Sequence, residues 1–111
     1  MQKMFIAVCG VVAFGLTFTL AFAMNHIAIE RGQAHFNNKD FAGGTKPCST
    51  CHAQGKGLEG AGAKTEFMGG SQDTLEGAIN LCIVNANKGQ AIQVDSEEMQ
   101  DIASYIKSLG K

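Results

Sequence analysis

Proline is nearly missing from this chain: Pro47 is the only one in 111 residues. No run of basic residues, internal repeat or low-complexity tract appears. Nine Lys plus Arg stand against ten Asp plus Glu, a formal net charge of −1. A balance that mild, without a basic cluster, argues against nucleic acid as a partner. No segment alternates apolar and polar residues in a convincing strand pattern, and no strand–helix–strand unit can be traced. A second pair of ligands at zinc spacing is missing as well.

Charge is also absent from Phe5 to Ala23, a mostly apolar stretch of 19 residues that comes after Lys3 and ends in Ala21-Phe22-Ala23. A positive start, an apolar run and a small-x-small ending predict a secretory signal over residues 1–23, cut before Met24. The alternative is an uncleaved membrane anchor, since about 20 apolar residues span a bilayer. The Ala-x-Ala ending favours cleavage. The mature chain, Met24 to Lys111, is 88 residues, enough for one domain. A domain of that size buries a low fraction of its surface and often needs a staple or a metal.

Cys48-Ser49-Thr50-Cys51-His52 supplies one. Cys-x-x-Cys-His is the attachment signature of a c-type haem. Two thiols add across the haem vinyl groups, and two intervening residues set both sulfurs on one turn. The adjacent His then offers its imidazole to the iron, where a proximal His is a common axial ligand. A redox dithiol would sit near a strand–helix–strand pattern, and a zinc site would need more ligands. The expectation is one covalently attached haem c, with Cys48, Cys51 and His52 as its binding residues and His52 on the metal. Export suits this motif and predicts a periplasmic protein, membrane-associated only if the signal stays uncleaved.

Three amphipathic helices can be read. The first runs from Ile27 or Ala28 to Phe36, before Asn37-Asn38, with Gly32 and Phe36 on one face. The second covers Leu75 to Ala86, with Leu75, Ile79, Cys82, Ile83 and Ala86 on its apolar face. The third is capped by Ser96, has Glu97 and Glu98 in its first turn and Lys107 in its last, and closes at Leu109-Gly110. Met99, Ile102, Ile106 and Leu109 form its apolar face, with Tyr105 alongside. Six glycines between Gly55 and Gly70 predict a loop there. The fold class is all-α, three main helices around one haem.

Gly32-x-x-x-Phe36, the Cys48–His52 motif and Tyr105-Ile106 together resemble the small class I cytochromes c. The resemblance spans nearly all of residues 24–111. It implies a close crossing of the first and last helices at Gly32, where no side chain holds the partner away, with Phe36 and Tyr105 packing beside it. Two features depart from that family. No proline-containing loop comes after the haem motif, so the partner of the His52 ring N–H is not evident. Ala91-Ile92 stand where a Met-Pro pair would supply the sixth iron ligand.

The candidates for that ligand are Cys82, Met99, Met68, His26 and His35. Met99 begins the apolar stripe of the third helix, which suits a core residue. Met68 lies in the glycine-rich loop, which could fold over a haem. His35 reads as a solvated residue beside Phe36, and His26 lies near the expected new N-terminus. Cys82 is the odd cysteine left once Cys9 departs with the signal and two others bind haem. An unpaired Cys in an oxidising compartment calls for an explanation: a buried inert thiol or a metal ligand.

A second resemblance bears on that choice. Leu75-Glu76, Ile79-Asn80-x-Cys82, Lys88-Gly89, Asp95-Ser96-x-Glu98-Met99 and Tyr105-Ile106 are similar to one haem domain of the thiosulfate dehydrogenases and related sulfur-oxidation cytochromes. There the Cys at this helix position ligates iron, which implies Cys82 as the second metal ligand here. Those proteins usually add a further haem domain or a partner subunit, whereas this sequence carries one motif. Three functions stand as expectations. The first is a periplasmic one-electron carrier serving redox protein partners. The second is a haem subunit or enzyme of thiosulfate or sulfur-compound oxidation with a Cys-ligated haem. The third is a haem protein with an open distal side that binds a small molecule.

Overall fold

The computed structural model describes residues 23–110, the side chain of Met68 excepted. Apart from residue 23, the expected signal lies outside the described residues. The fold is all-α, as the sequence predicts. Helix α1 covers residues 23–36, α2 Leu75–Asn85 and α3 Glu97–Ser108. The chain between them turns through short 3-10 segments. An isolated bridge between Phe67 and Gln72 is the one β-type pairing among the described residues. No helix among them is long and apolar enough to cross a membrane.

The elements begin and end for local reasons. The Thr74 hydroxyl accepts the Gly77 N–H at 3.0 Å and caps α2. The Ser96 hydroxyl accepts the Met99 N–H at 3.2 Å and caps α3. Glu97 and Glu98 lie in the first turn of α3 and Lys107 in its last, each favourable to the helix dipole. Helix α1 ends at Phe36 as expected, but it is already helical at residue 23 rather than starting at Ile27 or Ala28. Nothing between residues 23 and 31 breaks a helix, and His26 lies 3.3 Å from Glu30 one turn on. Helix α2 stops at Asn85, so Ala86 is its exposed C-cap and not part of the apolar face. Ala78 is buried in its stead.

Helices α1 and α3 cross at Gly32. A Cβ at that position would collide with the Asp101 carbonyl, so glycine is what permits the approach. Beside the crossing, Phe36 and Tyr105 meet edge-on, ring centroids 5.2 Å apart. On the outer side Arg31 donates two hydrogen bonds to Asp101, at 2.8 and 3.1 Å, and lies 3.1 Å from Glu97. The core below is built of Phe36, Ile83, Met99 and Ile102, each almost wholly removed from solvent. The glycine-rich stretch is less featureless than expected, with 3-10 turns at Ala61–Ala63 and Met68–Gly70.

Candidate haem site

The paired-cysteine motif folds as a single 3-10 turn, Cys48–Thr50, entered from extended Pro47. The Cys48 carbonyl accepts from Cys51 N–H at 3.3 Å and from His52 N–H at 3.1 Å. Those bonds gather Cys48, Cys51 and His52 into one turn. Cys48 is half-buried and Cys51 exposed.

The His52 ring has a partner that the sequence did not reveal. Its Nδ1 lies 3.0 Å from the Lys56 carbonyl oxygen. A carbonyl only accepts, so Nδ1 carries the proton and Nε2 keeps its lone pair for a metal. Gly57, at φ +92°, turns the chain directly after Lys56. The Glu59 carboxylate accepts the Gly57 N–H at 2.8 Å and steadies that turn.

Cys48 and His52 open onto a cavity of about 360 Å³ to which all three helices contribute. Phe36 comes from α1, Ala78 and Ile79 from α2, Ile102 and Ile106 from α3. Leu58, Ala61 and Phe67 add apolar surface from the connecting loop. An apolar chamber with Cys48 and a correctly protonated imidazole on its wall, and Cys51 exposed on the same turn, fits a large apolar macrocycle with a metal at its centre. His52 could ligate that metal, and Cys48 and Cys51 could bond the ring.

The ligand candidates separate in this geometry. Cys82 lines the same cavity as Cys48 and His52 and is half-buried. Burial pushes its thiol above the ordinary value, and the nearby sulfurs of Cys48 and Cys51 add to the shift. Met99 is fully buried in the core and does not line the cavity. His35 packs on Phe41 with centroids 4.9 Å apart and lines a separate groove. His26 is exposed beside Glu30. Met68 comes directly after cavity-lining Phe67, but its side chain lies outside the described residues.

Two asparagines make contacts that the sequence reading did not give, Asn80 having appeared there only within the second resemblance. The Asn80 side chain donates to the Ile92 carbonyl at 2.8 Å and accepts the Ile92 N–H at 2.9 Å. This strap explains Ala91-Ile92: the pair is held on the groove beside His35 and Phe41, away from the cavity. The other is Asn87, buried, with its amide 3.4 Å from the Cys48 sulfur. A polar residue one step beyond the apolar face of α2 was the available signal for it.

No curated relative and no solved structure matches the chain. The family model described as SoxA/TsdA, cytochrome c domain, matches residues 31–111 and so takes in the end of α1, all of α2 and α3, the paired cysteines and Cys82. The chain therefore belongs to the SoxA/TsdA cytochrome c domain family: it is a c-type cytochrome domain, related to the sulfur-oxidation cytochromes, that carries covalently bound haem c.

Proposed function

We propose that this protein is a periplasmic cytochrome with a single haem that passes one electron at a time to redox protein partners. Cys48 and Cys51 would hold the haem, and His52 and Cys82 would ligate its metal. The observation that carries this reading is that Cys82 opens into the cavity shared by Cys48 and His52, whereas Met99 does not. When bound, the haem supplies a one-electron couple. The chain's own residues hold that couple in place. Apolar side chains from all three helices line the cavity and would pack against the haem. The Lys56 carbonyl fixes the His52 ring and makes it a stronger donor. Burial holds the half-buried Cys82 thiol above its ordinary value, and the residue would bind a metal as its thiolate.

With both ligands in place, the metal could not take a substrate without losing one of them, and this favours a carrier. A negative sulfur donor also lowers the reduction potential relative to a thioether. The deciding experiment compares ferric optical and paramagnetic resonance spectra of the holoprotein. Cys82→Ser changes them and Met99→Leu does not. The reverse result removes Cys82 from the metal and leaves haem attachment untouched.

The family match supports a second reading, a haem subunit or enzyme of thiosulfate or sulfur-compound oxidation. Thiosulfate turnover with an artificial acceptor favours it. Absence of turnover, with fast electron exchange with a reductase, favours the carrier. Export rests on Lys3, the apolar run and Ala21-Phe22-Ala23. An intact mass that begins at Met24 and includes one haem tests the signal, the domain 24–111 and the stoichiometry together.

A further inference from the structure

We propose that Asn87 is a positioning residue for the haem: its side-chain amide grips the Cys48 sulfur and fixes the attached ring against the helix that carries Cys82. The inference rests on the reading of Cys48 as an attachment cysteine. Asn87 is 6% exposed, and its Nδ2 donates to Cys48 Sγ at 3.4 Å across 39 residues of sequence. Its backbone is committed on both sides. Asn87 N–H donates to the Cys82 carbonyl at 3.0 Å, at the end of α2. Its carbonyl accepts the Thr45 N–H at 2.9 Å. Gly44 lies so close that an added Cβ would come within 2.8 Å of that carbonyl.

One buried residue therefore ties the Cys82 backbone, the loop leading to the haem motif and a haem-bonding sulfur. A thioether sulfur remains a weak acceptor after it bonds carbon, so haem attachment does not remove the acceptor that Asn87 contacts. The positive end of an N–H dipole held beside that sulfur would favour the reduced, less positively charged state of the bound haem. Hydrogen bonding around a haem and its attachments is one of the levers on its potential.

The test uses the holoprotein. In the ferrous state, proton NMR of the wild type shows a contact between the Asn87 side-chain amide and the thioether bridge at Cys48. Asn87→Asp keeps the shape and the backbone bonds but replaces the donor by an acceptor. It lowers the reduction potential and moves the ferric low-spin resonance. Asn80→Asp, which perturbs a strap touching no cysteine, lowers the melting temperature and leaves both signals in place. If the aspartate variant yields no holoprotein, Asn87→Ser, too short to reach the sulfur, gives the same two readouts. No contact in the NMR spectrum, or a variant with wild-type potential and resonance, overturns the proposal. Alkylation of the denatured holoprotein separates this from failure of the underlying reading, because a free Cys48 would then be labelled.

Discussion

His52 Nδ1 and the Lys56 carbonyl oxygen, 3.0 Å apart, form the hydrogen bond that decides which ring nitrogen faces a metal. This chain lacks the proline-containing loop that would serve that task in the class I cytochromes it resembles. Here a glycine turn does it, with Gly57 at φ +92° and its N–H on Glu59. The His52 ring is thus oriented by backbone geometry just downstream of the motif.

Gly57→Ala should expose that dependence. Its Cβ would lie 3.5 Å from His52 Nδ1, an ordinary contact, so crowding contributes little. The cost is the positive φ, about 1–2 kcal/mol for a residue with a Cβ. Relief of that strain rotates the Lys56 carbonyl away from the ring. The expected result is a lower melting temperature together with an altered ferric spectrum, read on one holoprotein sample.

Met99→Ala should lower stability without touching the metal. Met99 is 0% exposed and is not part of the cavity wall. Truncating a buried Met costs about 2–5 kcal/mol through lost burial and the hole left behind. Met99→Leu nearly conserves volume and costs less than about 1.5 kcal/mol. Denaturant melts check the magnitudes. Ferric spectra of both variants should match the wild type.

The three helices and the apolar faces of α2 and α3 were legible because burial repeats with the helical period and because Ser96 is a good cap. Gly32, Phe36 and Tyr105 were legible through a family pattern with a steric reason behind it. Cys82 was legible as the odd thiol on an inward face. The Lys56 carbonyl, Asn80 and Asn87 were not. Lys56 contributes through its main chain, which its side chain does not advertise. Asn80 and Asn87 act on partners 12 and 39 residues away, and no local period records such contacts. Buried Asp101 escaped notice because a carboxylate on a helix reads as solvated until Arg31 is found beside it.

Gly32→Ala sets two effects against each other. Helix propensity favours alanine by about 1 kcal/mol. The new Cβ, however, meets the Asp101 carbonyl, which belongs to the backbone of α3 and cannot rotate aside. Overpacking of that kind costs about 1–3 kcal/mol, and backbone contacts lie at the upper end. The steric effect wins, and the thermal midpoint should fall. Alanine introduced where α1 is exposed has no such opponent, so Gln33→Ala should be neutral or slightly stabilising by the same measurement.

Asn80→Ala removes both hydrogen bonds to Ile92, each worth about 0.5–1.5 kcal/mol net. The summed loss should be about 1–3 kcal/mol, because Ile92 is only half-buried and water can take up its freed groups. Amide exchange at Ile92 should quicken well beyond the change in global stability, since the strap is what closes that N–H. The ferric spectrum should hold steady, because Ala91 and Ile92 line the groove beside His35 and not the cavity that contains Cys82. A spectral change in this variant would mean that the 91–92 segment bears on the haem after all.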